Sequence, residues 1–335
     1  MSRINNIVAI TGSNGFIGSY LCDKLSSTLG LRIRKLQRRT FKDLPVKNSH
    51  ERIRAEPFSE WSDALSNVDT LIHCAGYAHR QYINHQTHHN LCMSINYYGT
   101  INLARQCVKA GVRRMIFLST VKVLGEFTQP CKPFNCFSTA DPQNSYAFSK
   151  YCAEQELLNK IQYLGLEIVI LRPPLVYGPG VKANFLRLMG LVASGVPLPF
   201  RSVSNRRSMI YIDNLASLIT VCISHPAANG RTFLLSDGYD LTTPALISKL
   251  SSLLHVHSRL FSFPPSLLIY ISTLMGAKTQ INRLIDSLQV DIGHTVSVLG
   301  CLPMIDVDRS LAATVNWYIS RHSTSTVARI AGFTD

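Results

Sequence analysis

The chain has 335 residues, with 34 Lys or Arg against 20 Asp or Glu, a formal net charge of +14 at pH 7. Hydrophobic residues make up 46% and charged residues 16%, which supplies a sizeable core and excludes a disordered chain. Nineteen Gly and 15 Pro are too few for collagen-like or low-complexity sequence.

A basic balance suits nucleic acid, an anionic surface or a small phosphate-bearing substrate. The Lys and Arg residues are scattered, with their densest runs at Arg32–Arg39 and Arg201–Arg207, so a nucleic-acid partner is not expected. Nine cysteines without a C-x-x-C pair speak against a disulfide framework and a structural zinc site. Met1–Thr11 has no signal-peptide core, and the charge-free stretch Leu260–Ala277 is interrupted by Pro264 and Pro265. That stretch reads as a core helix, with no stable membrane insertion, and the expected location is the cytoplasm.

In chain order, Ile7–Thr11 has strand character and Phe16–Leu29 has helical spacing. Between them runs Thr11-Gly12-Ser13-Asn14-Gly15-Phe16-Ile17-Gly18. In a strand–turn–helix unit, Gly12 permits the tight turn, Gly15 lets backbone approach a pyrophosphate, and Gly18 lets the helix pack closely on the sheet. The free N–H groups of the first helical turn then meet the phosphate. Leu31–Gln37 is a second strand. At its end an acid binds a ribose 2′-hydroxyl, whereas Arg accommodates a 2′-phosphate; Arg38 stands there, which leans toward NADP over NAD.

Thr70–Cys74, Arg114–Ser119 and Glu167–Leu171 read as buried strands, and Asn90–Ala110 and Tyr146–Leu164 as long helices. The alternation predicts an α/β fold with one doubly wound parallel sheet of the Rossmann type. Residues 1–172 form the expected NAD(P)-binding domain. Residues 173–335, richer in Pro and Gly, form mainly a smaller substrate-binding lobe, interleaved with the last strands of the sheet.

Tyr146 and Lys150 stand four apart on one helix face. A nearby ammonium favours a phenolate, so the pair predicts a tyrosine with a lowered pKa that passes a proton to or from a hydroxyl. Ser119 and Thr120 end a buried strand, where ligands bind in such sheets; strand-end capping is the plainer reading for Ser119. His85, His88 and His89 have helical metal-ligand spacing but no convergent acid, so no metal is expected.

These pieces together resemble the extended short-chain dehydrogenase/reductase family, the NAD-dependent epimerase/dehydratase branch acting on nucleotide sugars, from Ile7 to about Tyr318. Further matching strings are Asn96–Leu103, Arg172–Gly180 and Arg207–Ala216. The resemblance implies Thr120, Tyr146, Lys150 and Asn96 as the catalytic set, with Asn96 holding Lys150 through water. It implies NADP or NAD at Gly12, Gly15, Phe16, Ile17, Gly18, Arg38, Ala75 and Lys150. A UDP-sugar would meet Thr120, Tyr146, Asn184, Arg207 and Arg283, with Pro197–Phe200 lining the uracil. A homodimer through the two long helices is also implied.

Dehydratases of this family carry Asp-Glu directly after the catalytic Thr; here Val121 and Lys122 follow Thr120, which speaks against dehydration. The local strings Ser119–Glu126, Pro197–Phe200, Asn205–Ser208 and Ser287–Asp291 look most like reductases that convert a UDP-4-keto-6-deoxy-N-acetylhexosamine to UDP-N-acetylquinovosamine, or their 4-epimerase relatives, in bacterial surface-polysaccharide or O-antigen synthesis. The alternative is a 4-epimerase of UDP-glucose or UDP-N-acetylglucosamine, with the reductase slightly favoured. A non-catalytic NADP-binding regulator is a further alternative, which the presence of Thr120, Tyr146 and Lys150 disfavours.

Overall fold

A computed structural model describes residues 6–28, 30–36, 60–78 and 84–330. Strands β1 (Ile7–Thr11), β2 (Arg32–Leu36), β3 (Thr70–His73), β4 (Arg114–Leu118), β5 (Glu167–Arg172) and β8 (Arg231–Leu234) form one sheet in the order β2-β1-β3-β4-β5-β8. Every neighbouring pair is parallel. Parallel strands need crossovers, and those crossovers cover both faces with helices.

The residues of β1 show how this comes about. Val8 and Ile10 point to one face, where Ile72, Ile116, Val169 and Leu171 join them beneath α1 (Phe16–Ser26) and α7 (Ile212–Ser224). Ala9 points to the other, with Leu71, Met115, Phe117, Ile168 and Ile170 beneath α4 (Gly99–Lys109) and α5 (Ser145–Glu156). A strand apolar at every position therefore makes two cores at once. α2 (Ser62–Leu65) adds Leu65 to the second of them.

The expected helix Asn90–Ala110 is longer and interrupted. α3 (His85–Cys92) runs into a π-helical turn, Met93–Tyr98, before α4. The expected helix Tyr146–Leu164 likewise ends its α-helical part at Glu156 and continues as π and 3-10 turns to Leu164.

A third core lies beyond the sheet. Around it stand a two-stranded sheet, β6 (Leu175–Tyr177) with β7 (Met209–Tyr211), together with α6 (Ala183–Ala193), α8 (Thr243–Leu253) and α12 (Val307–Ile330). Among the described residues the other α-helices are α9 (Pro265–Leu274), α10 (Lys278–Ile285) and α11 (Gly293–Leu299). α9 corrects the sequence reading of Leu260–Ala277 as a core helix. Ser272 is its one buried residue, and Tyr270 and Leu274 are 62% and 72% exposed. No helix among the described residues is long and apolar enough to cross a membrane.

Candidate functional site

The glycine turn is built by close approach. Gly12 has φ +69°, and a Cβ there would sit 2.8 Å from the Ala75 backbone nitrogen at the end of β3. A Cβ on Gly18 would sit 2.2 Å from the Gly12 carbonyl oxygen, so Gly18 packs against the turn itself. Gly15 caps α1 without a side chain, which leaves the first-turn N–H groups open to an anion. The buried Ser13 hydroxyl has no hydrogen-bond partner. Phe16 and Ile17 are half-buried, with Phe16 beside Gly180. A glycine cradle, open helix N–H groups and an orphaned hydroxyl fit a dinucleotide pyrophosphate. Arg38 lies outside the described residues.

A hydrogen-bond chain leads from this turn to the π-helical turn. Thr11 Oγ1 lies 2.7 Å from His73 Nδ1, His73 Nε2 lies 3.0 Å from Thr100 Oγ1, and Thr100 donates to the Asn96 carbonyl at 2.7 Å. Because the Thr100 proton goes to Asn96, Nε2–H of His73 must donate to Thr100 and Nδ1 must accept from Thr11. Burial, with the Lys150 charge adding, pushes His73 down to about 3, so the ring stays neutral. Asn96 itself is fully buried. Its Oδ1 accepts from Tyr77 N–H at 2.7 Å, and its Nδ2 donates to the Tyr77 carbonyl at 2.9 Å and to Ser149 Oγ at 3.0 Å. The direct bonds of the amide thus go to Tyr77 and Ser149. Gly76 separates it from Lys150, since a Cβ on Gly76 would lie 3.3 Å from Asn96 Oδ1 and 3.4 Å from Lys150 Nζ. π turns of this kind gather at functional sites.

Asn144 caps α5 by accepting from Ala147 N–H at 2.9 Å, placing Tyr146 in the first turn and Lys150 one turn later. The buried pair Glu154–Arg172, at 2.5 Å, ties the same helix to the end of β5. Lys150 Nζ donates to the Leu118 carbonyl at 2.9 Å and lies 4.4 Å over the Phe117 ring. Burial pushes this ammonium down to about 8. Tyr146 departs from the expectation of a lowered pKa. Burial, with Cys92 adding, pushes its phenol up to about 12, because the Lys150 charge is directed at Leu118 and Phe117.

Thr120 ends the β4 segment, buried, and its hydroxyl accepts from Lys122 N–H at 3.3 Å at the start of a 3-10 turn, Val121–Val123. α5 packs against that turn, so the Thr120 turn and the Tyr146–Lys150 helix share the carboxyl edge of the sheet. Ser119 does not cap: its buried hydroxyl has no partner.

The cationic side of the site was only half legible. Arg207 Nη1 donates to the Asp286 carbonyl at 2.9 Å. Burial lowers its pKa, the Arg283 charge adds to that, and Asp286 and Glu126 act against it. Arg283 is half-buried, and its Nε has no partner. The same cluster contains Lys122, whose place after Val121 in the sequence spoke only against dehydration. Lys122 Nζ pairs with Glu126 at 3.1 Å. Burial lowers Lys122, Glu126 opposes the shift, and Arg283 and Arg207 add to it. Burial alone would raise Glu126, but Lys122 and the Asn144 amide, which donates to it, hold its carboxyl below the usual range. Glu126 thus joins the cationic cluster to the cap of the Tyr146 helix. A hollow of about 750 Å³, lined by Glu126, Phe134 and Gln143 among others, opens beside it.

Asn184 stands exposed in the first turn of α6, and no hydrogen bond among the described residues ties it to Arg207 or Arg283. Of Pro197–Phe200, Leu198 and Phe200 are packed into the third core, so only the two prolines remain accessible to a base. His88 sits beside Cys92 and the Tyr77 ring, and His89 stacks on Phe148.

Comparison with known proteins agrees with this architecture. The NAD dependent epimerase/dehydratase family matches residues 8–235. A UDP-glucose 4-epimerase from Vibrio cholerae is 37% identical over 298 residues, 88% of this chain and 90% of its own length. An N-acetyl-alpha-D-glucosaminyl-diphospho-ditrans,octacis-undecaprenol 4-epimerase from Escherichia coli O157:H7 is 25% identical over 260 residues, 75% of this chain and 73% of its own. Among solved structures, UDP-glucuronic acid 4-epimerase from Bacillus cereus in complex with NAD superposes with a TM-score of 0.74 at 18% identity, covering 95% of this chain and 98% of that one.

Proposed function

The chain belongs to the NAD dependent epimerase/dehydratase family, and from that premise we propose that it inverts C4 of a UDP-hexose. The observation that carries this reading is the 37% identity to a UDP-glucose 4-epimerase along nearly the full length of both chains. Val121 and Lys122 after Thr120 leave no acid there for dehydration. The Vibrio and Escherichia relatives are both named for a sugar on a diphosphate, and Arg207 with Arg283 offers guanidinium groups suited to a diphosphate.

A bound nicotinamide dinucleotide would supply the two-electron oxidation at C4 and its reversal. Thr120 holds the C4 oxygen by its hydroxyl, and Tyr146 takes the C4 hydroxyl proton and gives it back. A phenol near 12 stays protonated at neutral pH and offers no phenolate to accept that proton, so Lys150 has to turn its ammonium toward the tyrosine when the site fills. Epimerisation leaves the dinucleotide unchanged overall, whereas reduction consumes it.

A second reading is reduction of a UDP-4-keto-6-deoxy-N-acetylhexosamine, since the strings Ser119–Glu126 and Ser287–Asp291 resemble such reductases as well as their 4-epimerase relatives. One experiment decides between the two. Purified protein is incubated with UDP-glucose, with UDP-N-acetylglucosamine and, beside NADPH or NADH, with a UDP-4-keto-6-deoxy-N-acetylhexosamine; the C4 epimer is followed by NMR alongside nicotinamide absorbance. The expected result is approach to a fixed epimer ratio without stoichiometric loss of reduced dinucleotide. Inertness on both sugars, with one NADPH or NADH lost per 4-keto sugar, would overturn the epimerase reading in favour of the reductase.

A further inference from the structure

We propose that the outward face of α9 seats the protein on an anionic lipid bilayer. Along this helix Leu267, Tyr270, Ile271 and Leu274 recur at i, i+3, i+4 and i+7, the spacing by which a helix normally turns an apolar stripe into the core. Here all four are exposed, and Met275, just past the helix, is 77% exposed. The inward side is already provided for: Leu268 of α9, with Ile281 and Leu284 of α10, packs against the third core. The stripe is therefore a second apolar face rather than a displaced core face. A contiguous exposed apolar patch on a soluble domain needs a cover.

Charge selects the cover. From Leu241 to Ile285 the chain contains no Asp or Glu, but it carries Arg259, Lys278 and Arg283 besides Lys249, which pairs with Asp308. Arg259 and Lys278 bracket the charge-free stretch at its two ends, and both are exposed. Arg201 is exposed too, and its backbone N–H bonds to the Phe261 carbonyl at the edge of the patch. An apolar stripe with an interfacial tyrosine, flanked by a basic rim, suits seating at the headgroup level of an anionic bilayer. The helix has 10 residues, which suits lying on a membrane and not crossing it. A protein surface would have to meet the basic rim with acids. A second copy of this chain brings the same cations to a two-fold contact, where they repel.

The placement also orients the site. α10 packs against α9 and carries Arg283, so a bilayer under α9 lies beside the cationic cluster.

The test is vesicle flotation of the purified full chain. Vesicles of phosphatidylcholine alone are compared with vesicles containing phosphatidylglycerol, at low and high salt. The expected result is flotation with the anionic vesicles, weakened by salt, and a roughly tenfold fall in partitioning for the double variant Ile271→Glu, Leu274→Glu. Its far-UV spectrum and melting temperature serve as the fold control, since both positions are exposed. Failure of the wild type to float overturns the proposal, as does undiminished flotation of a folded variant. So does a self-association, read by sedimentation velocity, that the double variant abolishes while vesicle binding is absent; the cover is then a second copy. None of these readouts depends on which sugar the enzyme uses.

Discussion

Lys150→Met separates what the lysine costs the fold from what it does for chemistry. Its ammonium is 2% exposed and titrates near 8 in the folded chain, against about 10.4 when unfolded. Between these values the unfolded chain binds more protons, so wild-type stability rises with pH through that window. The folded protein carries a desolvation cost of roughly 3 kcal/mol at pH 7, falling to about 1 kcal/mol at pH 9.5. The methionine variant has no such titration. It leaves the Leu118 carbonyl without its donor, a loss of about 1–3 kcal/mol that does not depend on pH. Comparing slopes removes that constant. Urea unfolding at pH 7 and 9.5 should therefore show wild type gaining about 2 kcal/mol on the variant. Parallel pH dependence in the two proteins would refute a desolvated Lys150. Turnover should be lost in the variant at both pH values.

Tyr146→Phe should lower kcat by three orders of magnitude or more, while dinucleotide binding, followed by fluorescence, stays within a factor of about two. Gly18→Ala places a Cβ 2.2 Å from the Gly12 carbonyl. The turn must open, and calorimetry should show dinucleotide affinity reduced at least roughly tenfold. Arg207→Met should raise KM for the UDP-sugar by about tenfold to a hundredfold with a smaller change in kcat, the signature of lost binding to the diphosphate; an unchanged KM would remove Arg207 from the substrate site.

The parts legible in the sequence are those whose cause is local. The strand–turn–helix unit around Gly12 and Gly18 is specified by residues within one turn of each other, and Tyr146 with Lys150 by a single helical period. What escaped depends on distant partners. Nothing near Lys122 announces that Arg207 and Arg283 lie beside it, and nothing near Asn96 that Tyr77 and Ser149 claim its amide. The π turn over Met93–Tyr98 has ordinary helical periodicity. The expectation of a core helix at α9 fails because a charge-free apolar run looks the same whether its side chains face a core or leave it. Lys150 was expected to lower Tyr146, yet sequence spacing cannot tell that its ammonium instead reaches the Leu118 carbonyl.

The order in which the chain completes its sheet bears on how it is made. β5 has its partner β4 already made before it, but its other edge waits for β8, which comes after the whole β6–α7 excursion. At translation rates of 5–20 residues per second, roughly 60 residues take about 3 to 12 s to add. Through that interval a nascent chain presents Ile168–Leu171, apolar on both faces, along an open strand edge, the feature most prone to wrong pairing. Arg231–Leu234 therefore acts as the closing strand of biogenesis. A stop or a slow stretch of codons just ahead of it should send newly made protein to chaperones, whereas the same interruption after Leu234 should be far better tolerated.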